Sequence, residues 1–225
     1  MAQLIIGDIH GCHYELQRLL DKSGIGDDDE IIAVGDLINR GPEPLEVFQF
    51  FRDTPNARAV MGNHEWNHIR AHSGELPPRF ALLLARWMLG DAYPEFLEYV
   101  SGLPLYLDLP DALILHGFFE PNIPLDQQDK RILLGVMSAE LYLQKTYEQL
   151  WYTYYDGDKP VIVGHRDYTD QQQPLRYRDK VYGIDTRCVY GGSLTGLLLP
   201  GFELISVPAR RDHWRKLQRK HGLGE

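Results

Sequence analysis

The 225-residue sequence predicts an α/β fold, a layered sandwich of mixed β-sheets flanked by helices with a small helical insert. Three observations predict it. Apolar runs stop five times at a polar signature: LIIGDIHG, IIAVGDLINRG, ARAVMGNHE, ALILHG and VIVGH. In the first half these runs alternate with segments of helical period, which predicts right-handed crossovers and a largely parallel sheet. The second half is richer in short strands bounded by turn residues. A sheet of this kind gathers the carboxyl ends of its strands along one edge, so the Asp, His and Asn closing the five runs are predicted to meet there.

Taken in order, residues 3–6 read as a buried strand, and 13–23 as a helix with Leu16, Leu19 and Leu20 at helical spacing before Gly24 and Gly26. Residues 30–34 form a second strand, 44–52 a helix and 58–61 a third strand. The acidic turn 27–29 lacks the spaced ligands and glycine of a calcium loop and reads as a solvated turn. Two helical patterns, 78–89 and 93–100, then interrupt the alternation behind Pro77-Pro78 and are separated by Gly90. Short strands follow at 105–107, 112–115, 161–163, 181–184, 194–199 and 203–207. The length suits one domain, 1–225, with the insert at about 66–100 and a basic tail at about 209–225.

A net charge of −9 disfavours a nucleic-acid coat, whose phosphate contacts need clustered Lys and Arg. The exception is the tail, where Arg210, Arg211, Arg215, Lys216, Arg219 and Lys220 face only Asp212. It reads as a solvated terminal helix, with docking to an acidic partner as the alternative. Two cysteines, Cys12 and Cys188, make no disulfide framework and fit a reducing compartment. With neither a signal peptide nor a run long enough for a membrane helix, a cytoplasmic protein is expected.

Together Asp8, His10, Asp36, Asn63, His116 and His165 supply carboxylate, amide and imidazole donors, a mixed set suited to Mn, Fe or Zn rather than to Mg or Ca alone. They are enough for two ions, and two ions about 3.5–4 Å apart, clamping an in-line displacement at phosphorus, need one bridging carboxylate. Asp36 is the expected bridge.

These residues resemble a known family, the PPP-type phosphatases within the calcineurin-like metallophosphoesterases. The resemblance rests on Gly7-Asp8-Ile9-His10-Gly11, Gly35-Asp36 through Arg40-Gly41-Pro42, Gly62-Asn63-His64-Glu65, His116-Gly117 and Gly164-His165, in order and spacing. It implies one metal on Asp8, His10 and Asp36 and a second on Asp36, Asn63, His116 and His165. It implies His64 as the general acid, Arg40 as a phosphate ligand assisted by Asn63, and direct attack by a metal-bridging hydroxide. The two divalent ions would be manganese, or else iron, zinc or nickel. The segment Gly183-Ile184-Asp185-Thr186, with Cys188, Gly191-Gly192 and Leu194, resembles bacterial members such as diadenosine tetraphosphate hydrolases. A phosphatase of phosphomonoesters (phosphoserine, phosphothreonine or nucleotides) is the expected activity, with symmetrical bis(5'-nucleosyl)-tetraphosphatase as the alternative. The substrate partner would be a phosphorylated small molecule, a nucleotide or a phosphoprotein.

The chain departs from the family pattern at three positions. Asn39 stands where many protein phosphatases carry an Asp that supports the acid histidine; it can still accept a hydrogen bond but brings no charge. Phe118 follows His116-Gly117 where a small residue is usual. Arg187 follows Thr186 where relatives carry Gly, and Arg187, or Arg166 beside His165, is expected to be the second phosphate-binding arginine. Competing readings are weaker. His64-Glu65-Trp66-Asn67-His68 matches the zinc-protease helix H-E-x-x-H but leaves the other four signatures unexplained. A phosphate-binding module without catalysis is a further alternative. Cys12 is expected to pack against the sheet. The tyrosines and tryptophan at 142–155 are expected to pack in the core and rim, with a stacking wall for a nucleobase or phosphotyrosine as the alternative.

Overall fold

The structure is a computed structural model describing residues 1–222. The chain opens with β1 (Gln3–Ile6), α1 (His13–Ser23), β2 (Glu30–Ala33), α2 (Pro44–Asp53) and β3 (Ala57–Ala59). In α1 the apolar spacing turns Leu16 and Leu19 inward, and Gly24, at φ 69°, takes the left-handed conformation that ends the helix. Pro44 starts α2, where its missing N–H costs nothing, and Val47, Phe48 and Phe51 are buried.

Next come α3 (Asn63–His72), α4 (Phe80–Leu89) and α5 (Tyr93–Ser101), then β4 (Tyr106–Asp108) and β5 (Leu113–Leu115). The insert thus holds three helices where the sequence predicts two. The inward face of α3 carries His64, Glu65 and His68, so no apolar period announces it. After α6 (Lys130–Leu133) and α7 (Met137–Thr146) come β6 (Val161–Val163), β7 (Leu175–Tyr177), β8 (Val181–Gly183), β9 (Ser193–Leu199), β10 (Glu203–Pro208) and α8 (His213–Lys220). Neither α7 nor β7 is visible in the sequence. The first buries only Ala139 and Leu143, and the second is an edge strand with Arg176 exposed.

One sheet runs β10-β9-β1-β2-β3 and the other β4-β5-β6-β8-β7. Both are mixed, as the sequence predicts, with the parallel run β1-β2-β3 coming from the alternating first half. The strands β1, β2 and β3 run parallel, as do β5, β6 and β8. The consecutive strands β9 and β10 form a hairpin, antiparallel by necessity, and β9 lies antiparallel along β1 with Ile5 opposite Leu197.

Strand alternation splits the apolar residues among three layers. Leu4, Ile6 and Ala33 pack outward under α1, α2 and α5, whereas Ile5, Ile32 and Val34 meet Ile114, Ile162 and Leu197 between the sheets. Leu115, Val161, Val163 and Val181 pack on the far side with Trp151 and Leu143. Of the aromatic stretch, Tyr147, Trp151, Tyr152 and Tyr155 belong to that outer layer, while Tyr142 and Tyr154 are exposed. Tyr142 and Tyr147 donate to Glu120, and Tyr155 donates to the Lys159 carbonyl. Cys12 and Cys188 lie buried in the layer under α1.

The basic tail is only partly solvated. Asp212 caps α8 by accepting the Arg215 N–H, and His213 and Leu217 are buried. His213 bonds Glu15 of α1 at 3.0 Å, and Arg210 lies over the Tyr14 ring. Residues 223–225 of that tail lie outside the described part. Among the described residues no helix is long and apolar enough to cross a membrane.

Candidate metal centre

Each parallel strand delivers its residues from its carboxyl end. Asp8 and His10 follow β1; Asp36, Asn39 and Arg40 follow β2; Asn63 and His64 open α3 after β3. His116 follows β5, His165 follows β6, and Asp185 and Arg187 follow β8. The loops are bent hard to do this. His10, Asp36, Asn39, Arg40, His165 and Arg187 all have φ between 49° and 77°, the left-handed region that costs most non-glycine residues. At Arg187 (φ 63°) this explains why glycine suits the position. Close packing is equally strict. A Cβ on Gly62 would overlap the Asp36 carboxylate, and one on Gly164 would overlap that of Asp8.

Backbone carbonyls fix the imidazoles. A carbonyl oxygen can only accept, so His10 Nδ1–H donates to Ile38 (3.1 Å) and His116 Nδ1–H donates to Val34 (2.9 Å). Both Nε2 lone pairs are thereby turned toward Asp36, at 3.6 Å from Oδ2 and 3.5 Å from Oδ1 respectively. Asn63 Oδ1 lies 3.0 Å from His116 Nε2 and 3.2 Å from His165 Nδ1. Asp36 is common to two groups of convergent donors, one with His10 and His64, the other with His116 and His165. Asp8 lines the same cavity of about 160 Å³, as do Arg40, Asn63, His64 and Arg187, while its carboxylate accepts the His165 N–H at 3.0 Å.

The electrostatics fit divalent cations. Burial, then Asp185 and Asp36, push the Asp8 carboxyl well above its ordinary range; burial, then Glu65, do the same to Asp36. Buried carboxylates that repel one another gain from a shared cation. Burial and the Arg40 charge lower His10 to about 3 and His165 to about 4, so both are neutral at pH 7, the form that can bind a metal. The donors and their charge therefore suit a dinuclear metal site, with Asp36 the donor common to both groups.

Beyond the residues singled out in the sequence for a role, Asp185 and Tyr190 complete the surroundings of the centre. Asp185 is 7 % exposed, lines the cavity and accepts the Arg187 N–H at 2.9 Å. Tyr190 lies under both guanidinium groups, 5.7 Å from Arg40 and 4.3 Å from Arg187, holding the two arginines side by side. Arg166 instead pairs with Glu140 away from the cavity. Phe118 is buried edge-on against His165 at 5.2 Å, so its bulk backs that imidazole.

The H-E-x-x-H residues have a different use from a zinc helix. Glu65 is fully buried and accepts the backbone N–H groups of Asp36 (2.8 Å), Leu37 (3.0 Å) and Gly62 (3.0 Å), tying two loops together. His64 and His68, four apart on α3, grip Asn39 from either side. Asn39 Nδ2–H donates to His64 Nδ1 at 2.7 Å, while His68 Nε2–H donates to Asn39 Oδ1 at 2.9 Å. The Tyr93 hydroxyl stands 3.2 Å from His68 Nδ1 and completes the row. The expectation that Asn39 accepts from His64 is thus reversed. Its oxygen is already taken by His68, and the only group left for His64 is the N–H. His64 is held neutral with its proton on Nε2, in agreement with burial and Arg40 lowering its pKa.

A family model for calcineurin-like phosphoesterases matches residues 1–192. The chain is 31% identical to a protein of Halalkalibacterium halodurans named bis(5'-nucleosyl)-tetraphosphatase PrpE [asymmetrical], over 92% of this chain and 94% of the relative. It is 27% identical to a symmetrical bis(5'-nucleosyl)-tetraphosphatase of a Shewanella species, over 73% of this chain and 62% of the relative. A solved structure provisionally named a diadenosine tetraphosphatase superposes with a TM-score of 0.76 at 26% identity, covering 92% of this chain and 93% of the other. Strand-end ligands in this order, on this pair of sheets, with these relatives, make the chain a phosphoric ester hydrolase belonging to the calcineurin-like metallophosphoesterases.

Proposed function

We propose that the protein is a dimetal-dependent bis(5'-nucleosyl)-tetraphosphatase rather than a phosphatase of protein phosphomonoesters. The carrying observation is the hydrogen bond from Asn39 to His64. A carboxylate at position 39 would stabilise a cationic His64 able to protonate an alkoxide; an amide N–H donor opposes that cation. A serine or threonine alkoxide needs such a proton as it departs. A nucleoside polyphosphate departs as a stable anion and needs it far less. The relatives named as tetraphosphatases support the same substrate class, and the PrpE relative, aligned along nearly its whole length, favours asymmetrical cleavage.

Asp8, His10, Asp36, Asn63, His116 and His165 would hold the two divalent ions, with manganese the first candidate and iron, zinc or nickel the alternatives. When bound, such ions supply Lewis acidity and an activated water for attack at phosphorus. Arg40 and Arg187, side by side over Tyr190, bind the non-bridging phosphate oxygens, with Asn63 beside them. His64 Nε2–H faces the oxygen of the leaving phosphate. A new P–O bond to water forms as the bridging P–O bond breaks, and the proton released by water passes to solvent.

The test is a panel of diadenosine tetraphosphate, p-nitrophenyl phosphate and a phosphoserine peptide, with wild type and Asn39→Asp. Wild type is expected to prefer the tetraphosphate and to release AMP and ATP. Asn39→Asp is expected to raise phosphoserine turnover by about tenfold relative to the tetraphosphate. A wild-type preference for the phosphopeptide would overturn the reading. Arg187→Gly separates phosphate binding from backbone strain. Relief of the left-handed arginine should stabilise the chain by about 1 kcal/mol, read as a higher urea midpoint. Loss of the guanidinium should raise the KM for every phosphate substrate by about tenfold.

A further inference from the structure

The metal-centre cavity opens into a second, larger space of about 410 Å³, within the range of small-molecule sites. The two share Arg40, Asn63, His64 and His165, so they adjoin across these four side chains. The larger space runs outward between the turn joining α3 to α4 and the start of α7. Because His64 lies where the two spaces join, a leaving group protonated or hydrogen-bonded by His64 departs into the outer one.

That outer groove is charged in a particular order. Asn63, Asn67 and Arg70 stand at i, i+4 and i+7 on α3 and therefore on one face. At 1.5 Å per residue, Arg70 sits about 10 Å along the helix from the metal ligand Asn63. Arg79, at the entry to α4, lines the same groove and has no ion-pair partner among the described residues. Arg70 holds Glu75 only loosely, at 3.5 Å with the glutamate mostly in solvent, a pair that costs little to open. The one acidic side chain in the lining, Glu140, is already neutralised by Arg166. Leu76, Leu82 and Val136 supply apolar wall in the same groove. In a chain of net charge −9, this is a local cationic track leading away from the centre.

We propose that the outer groove binds the leaving half of a dinucleoside polyphosphate. Arg70 and Arg79 hold phosphates beyond the one attacked, and the apolar wall takes the distal nucleoside. A phosphomonoester ends at the metal centre and reaches neither arginine. The inference rests on the tetraphosphatase reading for its substrate but on the groove itself for its charge.

The test is the Arg70→Ala, Arg79→Ala double variant, assayed on diadenosine tetraphosphate and p-nitrophenyl phosphate. The ratio of the two kcat/KM values is expected to fall about 100-fold, about tenfold per arginine, chiefly through KM for the tetraphosphate. In parallel, the inhibition constant of inorganic tripolyphosphate against p-nitrophenyl phosphate, with metal in excess, is expected to rise while that of orthophosphate is unchanged. An unchanged ratio together with unchanged tripolyphosphate inhibition overturns the proposal. A wild type that hydrolyses p-nitrophenyl phosphate but not the tetraphosphate refutes the tetraphosphatase reading instead. The tripolyphosphate measurement then still decides whether the groove is a polyphosphate track: weaker inhibition of the variant supports it, and equal inhibition sinks it.

Discussion

Asp36→Asn is expected to lower kcat/KM by at least about 1000-fold, or about 4 kcal/mol of transition-state stabilisation. It should also reduce bound metal from two ions per chain to one or none. The carboxylate is the single group common to both donor clusters, 3.5–3.6 Å from the Nε2 atoms of His10 and His116. An amide of the same shape keeps the packing and can still accept the His64 N–H, but it offers one neutral oxygen in place of a charged pair. The same change should stabilise the metal-free chain. Burial and the nearby Glu65 raise the pKa of Asp36, so its ionised form is costly without a cation. A folded-state pKa above the unfolded value favours folding when the group is protonated and loses that contribution as pH rises through it. The neutral isostere removes the loss. Metal analysis and urea unfolding in chelator at pH 7 are the measurements. An Asp36→Asn variant with two tightly bound ions, or one less stable in chelator than wild type, would contradict the bridging placement.

Replacing His64 by Asn should leave two ions bound but steepen the dependence of rate on the leaving group. For alkyl phosphates, whose leaving oxygen needs a proton most, a loss of about 100-fold or more is expected; for the tetraphosphate, about tenfold. The row Tyr93, His68, Asn39, His64 sets the one available proton on Nε2, and the more basic the leaving oxygen, the more it depends on that proton. A series of aryl phosphates of varied leaving-group pKa gives the slope. Equal slowing along the whole series would remove His64 from the role of proton donor.

Much of the centre is legible in the amino-acid sequence. Asp8, His10, Asp36, Asn63, His116 and His165 each close an apolar run, and the pattern of run and signature survives in one dimension because a strand end is a local event. The surrounding residues are not legible in this way. Tyr190 and Asp185 sit in a loop whose position depends on β8 pairing with β6, a contact between distant segments. His68 looks like half of a zinc motif because spacing shows which residues share a helix face, not what that face meets. What it meets is Asn39, brought there by the loop after β2. The mixed sheets are as predicted, but which strands run antiparallel is not legible, for a similar reason. Crossover helices announce parallel neighbours, whereas the direction of β9 along β1 depends on a pairing nearly two hundred residues apart.

The sequence alone determined the layered α/β class and, through motifs that resemble the family, named the candidate ligands that the structure brings together, because a strand end and its signature are local. Only the tertiary structure decided how Asn39 is oriented, which arginine stands beside Arg40, and that Arg70 and Arg79 line a groove leading from the centre. Those are relations between side chains on separate elements. They are set by how the sheets and the insert pack, and no spacing along the chain encodes them.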